Sequence, residues 1–312
     1  MKYDFLKLHL SVVLAGFTGI FGKLVSLNEG LLVWYRLLIS FLILFAVLLF
    51  ANKVPKVNNT GFLKISGTGA LLALHFLFFY GSIKYSNVSV GVVCYSLTGF
   101  FTAIFEPVMA KRRFDTKEIL YSLIAAAGIL LIFNFDTGFR FGIILGVIAS
   151  ALAAVFTIAN KIVEREHSST TMLFYEFLGA AVFMSAILPL YLHFNPVQTI
   201  TPAFSDWGYL LILAFFCTIG QYILHIQALK TLSAFTVSLS GNLEPLYGIL
   251  TAICFLGEAQ QLSAPFYAGI FFIIFSVFVQ SAGSGRLAAI CEKSKSQTYQ
   301  TKNNTYTHCE MV

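Results

Sequence analysis

The chain has 312 residues, of which 58% are hydrophobic and only 11% are charged. A soluble domain carries about 25% charged residues, so the chain has too few charges to cover a soluble fold. This composition excludes a soluble enzyme or a nucleic-acid-binding module. The 20 Lys and Arg against 14 Asp and Glu give a formal net charge of +6, whose meaning depends on where those charges lie along the chain.

Ten apolar segments follow one another along the chain. A bilayer core of about 30 Å requires roughly 20 apolar residues in one helix, and each segment approaches that length between short linkers rich in turn-forming and charged residues. The linkers at 84–87 and 230–233 are the least distinct, so nine spans remain an alternative. The predicted spans are residues 6–24, 31–51, 62–83, 87–109, 117–134, 139–160, 168–191, 207–227, 232–256 and 263–283.

The positive charges are distributed unevenly over the linkers. With the N-terminus in the cytoplasm, sixteen Lys and Arg lie on the cytoplasmic side, whereas only Lys23, Lys84 and Arg140 lie outside. Cytoplasmic loops carry such an excess, so both termini are predicted to be cytoplasmic. The first span lacks a cleavage site and is predicted to remain as an anchor. The polar residues 285–312 are predicted to form a disordered cytoplasmic tail.

The two halves of the chain resemble each other in register. An offset of 146 residues pairs Leu97 with Leu243, and an offset of 140 pairs Tyr35 with Tyr175. Each half holds five predicted spans, and because five is odd the second copy enters the membrane in the opposite sense. Inverted repeats of this kind occur in alternating-access transporters, which bind substrate near the midplane between the halves. The predicted repeats are residues 1–135 and 136–284.

Span nine carries the most distinctive motif, Asn-Leu-Glu-Pro at 242–245, with a closing Gly-Glu at 257–258. It resembles the signature of the EamA family within the drug/metabolite transporter superfamily. Residues 97–104 look like a degraded first copy, with Thr-Gly in place of Glu-Pro. The Trp-Tyr-Arg at 34–36 resembles the opening of the family's second helix. The resemblance covers about residues 8–283.

The ten spans and the resemblance together imply an all-α polytopic membrane protein with ten transmembrane helices in two inverted five-helix repeats. The resemblance further implies a multi-pass protein of the bacterial inner (plasma) membrane that transports small metabolites such as amino acids, usually outward. One alternative is an importer or exchanger of phosphorylated or nucleotide-sugar metabolites, which would need several cations facing its cavity. Another is a structural or sensory membrane protein that transports nothing.

Glu244 is the strongest candidate for a functional residue. An ionisable side chain deep in a span costs at least about 2.5 kcal/mol, so each one is a functional hypothesis. Glu244 lies near the middle of span nine, directly before Pro245, which removes a backbone donor and can kink the helix. A carboxyl group at this depth fits a polar cavity and a role in proton coupling. The alternative is a glutamate that only stabilises span nine.

Other polar residues within the spans complete the predicted site. Arg36 lies about a turn and a half inside the outer end of span two, where its fork fits a substrate carboxylate. The alternatives for Arg36 are snorkelling to the surface or pairing with an acid. His75 and Gln221 are equivalent under the offset of 146. The predicted substrate-binding residues are Glu244, Asn242, Tyr95, Ser96, His75, Gln221, Arg36 and Tyr247.

Glu106 and Glu176 lie nearer the cytoplasmic ends of their spans, where solvation at the membrane interface is predicted. No Gly-rich phosphate loop, HExxH or GxSxG occurs in the sequence. We therefore expect a transporter, driven by a gradient such as that of protons or passive, rather than an enzyme or an ATP-driven pump. No catalytic residue, metal site or cofactor is expected. The expected partners are a small-molecule substrate and the lipid bilayer.

Overall fold

The chain is helical throughout the part that its computed structural model describes, which is residues 2–111, 114–135, 137–164, 166–241, 243–276 and 279. No residue in these ranges forms a strand. The helices are α1 Lys2–Leu24, α2 Glu29–Phe50, α3 Asn59–Tyr85, α4 Val88–Tyr95, α5 Thr98–Met109, α6 Thr116–Phe135, α7 Arg140–Val163, α8 Ser169–Phe194, α9 Phe204–Ala214, α10 Gln221–Leu229, α11 Ala234–Gly241, α12 Glu244–Leu256 and α13 Ala264–Ser276. A π-helical turn, Phe215–Gly220, joins α9 to α10.

Seven of the described helical segments are long and apolar enough to cross a membrane. Two of these seven, Val88–Met109 and Phe204–Leu229, combine helices that continue one another. Three shorter apolar helices lie in the predicted spans five, nine and ten: Ser122–Asn134, Glu244–Leu256 and Ala264–Ser276. The multi-pass, all-helical class is therefore confirmed for the described residues, while the count of ten spans and the inverted repeat remain predictions. The tail at 285–312 lies outside the described residues.

Polar side chains fix where four of the helices begin. A helix leaves its first amide N–H groups without an intrahelical acceptor, and an Asn or Ser at the N-cap supplies one. The Oδ1 atoms of Asn28, Asn58 and Asn87 accept from the amide three residues ahead at 2.8–2.9 Å. Ser168 caps α8 in the same way. In each case a residue between apolar runs therefore ends the linker and starts the next helix.

Two spans are broken at equivalent places. Span four divides between the end of α4 at Tyr95 and the start of α5 at Thr98, and span nine divides between the end of α11 at Gly241 and the start of α12 at Glu244. In span nine the proline at 245 occupies the first turn of α12, where the missing N–H costs no intrahelical bond. The breaks place helix ends inside the bundle, where their free backbone groups and flanking side chains can face a cavity.

Helices α3 and α8 cross at close range through two glycines. A Cβ atom built on Gly69 would lie 2.1 Å from the carbonyl oxygen of Glu176, and one on Gly179 would lie 2.5 Å from that of Ser66. Small residues at membrane helix interfaces let backbones approach in this way. The two glycines therefore hold Glu176 against α3.

This crossing gives a testable expectation for stability. Gly69→Ala should lower the free energy of unfolding by about 3 kcal/mol, because the new methyl group meets backbone that cannot rotate away. Gly67→Ala is the matched control on the same helix, since nothing lies within 4 Å of a Cβ atom there. Melting of the two purified variants in detergent compares them. Equal melting temperatures would show that the α3–α8 crossing tolerates separation.

Candidate functional site

Residues from both halves of the chain line one small cavity of about 20 Å³ inside the bundle. The cavity lies where α1, α2 and α3 meet the C-terminal end of α4, the start of α10 and the start of α12. Its remaining walls are aromatic rings and a small α1 side chain. Its polar lining residues are Thr18, Arg36, His75, Tyr95, Gln221, Tyr222 and Glu244.

Arg36 is 1% exposed and is held on all sides by protein. Its Nε donates to Oγ1 of Thr218 at 2.6 Å, its Nη2 donates to the carbonyl oxygen of Cys217 at 2.6 Å, and its Nη1 donates to the hydroxyl of Tyr80. The guanidinium carbon lies 4.0 Å from the ring centroid of Phe76, a cation–π distance. Arg36 therefore does not snorkel to the surface. Three of its five N–H groups bind described residues, which leaves two to bind a ligand.

The π-helical turn explains how the second half reaches Arg36. A π turn inserts one residue into a helix and commonly marks a functional site. Here the π turn brings Thr218 beside Arg36. The hydroxyl of Thr218 donates to the carbonyl of Leu213, and its Oγ1 accepts from Nε of Arg36. The adjacent Cys217 carbonyl is turned toward the same guanidinium. The turn thus supplies two of the three acceptors that orient the arginine.

Glu244 begins α12 and is 6% exposed. Its carboxylate forms no hydrogen bond and no ion pair with any residue that the structure describes, although it lines the same cavity as Arg36. Its place in the first turn puts the carboxyl group at the positive end of the helix dipole. The arrangement leaves a carboxylate oriented to meet a cationic group or a proton inside the cavity.

Three more predicted residues present polar atoms to this cavity. The Nδ1 atom of His75 lies 2.9 Å from the carbonyl of Ala149. Because a carbonyl only accepts, Nδ1 carries the proton, and Nε2 of the neutral ring is left as an acceptor. The side chains of Tyr95 and Gln221 make no hydrogen bond within the described part of the chain. They supply a hydroxyl group and an amide to whatever occupies the cavity.

The structure places the remaining predicted residues elsewhere. Ser96 is buried, and its hydroxyl donates to the carbonyl of Val93 at 2.5 Å, so it closes the end of α4. Tyr247 packs against α1, where its Cβ atom lies 2.6 Å from a Cβ built on Gly16. Neither residue lines the cavity. Asn242 lies outside the described residues.

The prediction of interfacial solvation is wrong for Glu176, whereas Glu106 lines a space near the ends of α5 and α7. Glu176 is 0% exposed because the glycine-mediated approach of α3 covers it, and Glu106 is 8% exposed. Thr68 donates to Oε1 of Glu176 at 3.1 Å, across the α3–α8 crossing. The position of Glu176 near the end of a span therefore did not predict its exposure. Its burial depends on Gly69 and Gly179, which lie on two different helices.

Four polar site residues were not predicted from the sequence: Thr18, Tyr80, Tyr222 and Thr218. Tyr80 is fully buried, and its hydroxyl accepts from Arg36. Tyr222 follows Gln221, and its ring contacts Phe76, Phe156 and Phe177 with centroids 5.8–6.4 Å apart. The only sequence signal for Tyr222 was its place beside a predicted residue.

The model of the EamA-like transporter family matches residues 5–134 and, a second time, residues 140–282. The chain belongs to the EamA-like transporter family. The two matches cover most of the helical part of the chain, and the first ends within α6 while the second begins with α7.

Individual relatives are named as transporters. An uncharacterized transporter of Haemophilus influenzae is 26% identical over 276 residues, which cover 82% of this chain and 87% of the relative. An uncharacterized transporter of Clostridium kluyveri is 25% identical over 88% of this chain and 91% of its own length. A probable sugar phosphate/phosphate translocator of Arabidopsis thaliana is 26% identical over 63% of this chain and 57% of its own length.

One solved crystal structure shares the fold. It superposes with a TM-score of 0.65 at 14% sequence identity, and the match covers 88% of this chain and 96% of the other. Together with the seven apolar helices, the family and the relatives identify a multi-pass membrane transporter.

Proposed function

We propose that the protein is a secondary transporter that exports small zwitterionic metabolites such as amino acids by alternating access. It lies in the bacterial inner membrane with both termini in the cytoplasm. Ten spans form two inverted five-helix repeats, residues 1–135 and 136–284, with the substrate between them, and protons supply the driving force.

Opposite charges facing one cavity carry this proposal. Arg36 has two N–H groups free of protein acceptors among the described residues, and the carboxylate of Glu244 has no partner there. The two side chains line the same space without forming an ion pair with each other. A free amino acid carries a carboxylate for the arginine and an ammonium group for the glutamate. A buried charge requires such a partner.

The lengths and breaks of the helices support the repeat. The offset of 146 carries Val88–Tyr95 onto Ala234–Gly241, and it carries the start of α5 at Thr98 onto the start of α12 at Glu244. The offset of 140 carries the start of α2 onto the start of α8. The family model's double match divides the chain between the same helices. Four of the seven polar cavity residues come from the first half and three from the second.

The two ends of the bundle differ, which supports alternating access. At the end where α1 finishes, Asp206 accepts from the amide and hydroxyl of Ser26 at 3.1 and 2.6 Å. At the same end Glu258 accepts from the amide and hydroxyl of Ser89 at 3.0 and 2.7 Å. Both carboxylates join one half to the other. Near the opposite end a space of about 420 Å³ lies between the ends of α5 and α7. The conformation fits one closed outside and open inside.

Transport by purified protein in liposomes tests the function. The panel contains labelled amino acids, their deaminated acids, simple amines and sugar phosphates, each with and without an imposed pH gradient. We expect amino acids to exchange fastest and to accumulate against their own concentration gradient when a pH gradient is imposed. Faster exchange of acids or amines that carry a single charge would contradict the zwitterion assignment. Exchange without pH-driven accumulation would remove proton coupling and leave the transport function.

A second candidate, exchange of phosphorylated metabolites, follows from the printed name of the Arabidopsis relative. A phosphate group carries up to two negative charges and needs several cationic donors. Arg36 is the one Lys or Arg among the described residues that line the cavity, and a carboxylate shares that cavity. We therefore rank this function second. Sugar phosphates in the same panel decide between the two.

Closure of the outer end predicts the effect of Asp206→Ala. Each hydrogen bond to a charged acceptor contributes about 1.5–3 kcal/mol, and every 1.4 kcal/mol shifts an equilibrium about tenfold. Loss of the acceptor should favour the outward-open state by at least about tenfold. A cysteine introduced by Gln221→Cys should then react faster with a membrane-impermeant thiol reagent added outside.

Asp115→Ala is the matched control for this experiment. Asp115 accepts from the amide of Lys117 at 2.9 Å and so caps a helix at the opposite end of the bundle. Its loss should leave the outside reaction rate unchanged. An Asp206→Ala variant with the same reaction rate as its parent would show that this contact does not close the outer end.

A further inference from the structure

Glu176 forms a second buried polar site, apart from the substrate cavity. It is 0% exposed, and its Oε1 lies 3.1 Å from the hydroxyl of Thr68, whose single proton is shared with the carbonyl of Ile65 at 2.7 Å. Its Oε2 has no hydrogen-bond partner, and the neighbouring Asn160 on α7 is also fully buried with both amide atoms unpartnered. Buried polar groups in folded proteins are nearly always satisfied. A carboxyl oxygen and a neighbouring amide are left without a full hydrogen bond in this structure.

The surrounding helices supply no cation for this carboxyl group. On α3, Lys64 lies at the surface, 3.7 Å from Glu166, and on α7, Lys161 binds Glu164 and the carbonyl of Leu229. Arg36 on α2 faces the substrate cavity. On α10 the titratable side chains are Tyr222 and His225, and Nε2 of His225 is itself buried without a partner. None of the described Lys or Arg side chains pairs with Glu176.

The proposed repeat makes Glu176 the counterpart of Arg36. Each is the eighth residue of its helix, α8 or α2, and the offset of 140 superposes them. Each also bonds a threonine on the third span of the other half, since Arg36 donates to Thr218 and Glu176 accepts from Thr68. The fold therefore places opposite charges at matching positions. One faces the substrate cavity, and the other is sealed from it in this conformation.

We propose that Glu176 is the binding site of the coupling proton, separate from the substrate site at Arg36 and Glu244. The proton arrives from water and forms an O–H bond at Oε2, and the resulting acid donates to Oδ1 of Asn160. On release the proton returns to water, and the carboxylate accepts from Nδ2 of Asn160 and from Thr68. The amide can serve both states because it carries one acceptor and one donor group.

A proton fits this site better than a metal cation does. A hard cation takes about six oxygen ligands. The described side chains at this site offer the two oxygens of Glu176, one of Asn160 and the hydroxyl of Thr68, which already donates to the carboxylate. One proton between Oε2 and Oδ1 leaves neither atom unpartnered. The inference rests on the proposed function only in assigning this proton to the coupling of transport. Protonation of Glu176 itself is measurable without any substrate.

Infrared difference spectroscopy tests the site directly. Full-length protein in lipid is shifted between two pH values, and the carbonyl band of the protonated carboxyl group is recorded. We expect Glu176→Gln to remove one component of that band and Thr68→Val to shift its frequency, because Thr68 bonds the same carboxyl group. Glu166→Gln, which makes the same change at an exposed glutamate, should leave the component in place. A band unchanged in both Glu176→Gln and Thr68→Val overturns the proposal, and Thr68→Val decides alone if Glu176→Gln does not fold.

Transport separates this inference from the proposed function. With amino acids as the probe, Glu176→Gln should exchange substrate at close to the wild-type rate but fail to accumulate it under a pH gradient. A variant that accumulates substrate as the wild type does overturns the proposal, as does a wild type that exchanges but never accumulates. If no probe is exchanged, the proposed transport function fails, and the infrared result still decides whether Glu176 binds a proton.

Discussion

Arg36→Lys is expected to reduce amino-acid exchange by at least about a hundredfold, although the charge is kept. The guanidinium reaches three acceptors in different directions, Oγ1 of Thr218, the hydroxyl of Tyr80 and the carbonyl of Cys217. An ammonium group presents its donors from one point and cannot span them. Each buried group that loses its partner costs about 1–3 kcal/mol, and the two N–H groups that face the ligand are lost as well.

The measurement is exchange in liposomes together with thermal stability in detergent. We expect a large loss of exchange and a lower melting temperature, since the buried network is shared by binding and folding. Arg140→Lys is the matched control, because Arg140 is exposed and lies 5.5 Å over the ring of Phe133 rather than in the cavity. Wild-type exchange by Arg36→Lys would show that Arg36 serves only to hold α2 against α9 and α10.

Polarity at mid-span located much of the candidate site from sequence alone. Polar side chains in membrane-spanning helices nearly always face the interior of the bundle, because contact with lipid is costly. The cavity is accordingly lined by five of the predicted residues, Glu244, Arg36, His75, Gln221 and Tyr95. Their roles in binding remain predictions.

The sequence did not predict the direction in which individual side chains point within the bundle. Ser96 and Tyr247 flank the helix breaks, where one residue of rotation decides between cavity and packing. Ser96 bonds its own helix, and Tyr247 packs on α1. Thr218 reaches Arg36 through the π turn, which shifts the helical register without an obvious sequence mark. Glu176 is buried by glycines on two helices far apart in sequence, so no local pattern predicts its environment.

Glu244→Gln is expected to preserve the fold and to remove selectivity for the substrate's ammonium group. The carboxylate bonds no described residue, so an amide of the same shape leaves no protein group without its partner. The melting temperature should therefore stay near that of the wild type, in contrast to Arg36→Lys. The loss of one charge-assisted contact of about 1.5–3 kcal/mol predicts roughly a tenfold to hundredfold weaker interaction with an amino acid.

A pair of substrates isolates this contact. Exchange is measured for one amino acid and for its deaminated acid, in the wild type and in Glu244→Gln. The amino acid should lose most of its advantage in the variant, whereas the acid should lose little or gain, because a repelling carboxylate has gone. Glu166→Gln is the control for the chemical change at an exposed position. If both substrates slowed by the same factor, Glu244 would have to act on the conformational cycle rather than on the ammonium group. The substrate carboxylate would then be the only charge that the cavity recognises, which would favour anionic metabolites over zwitterions.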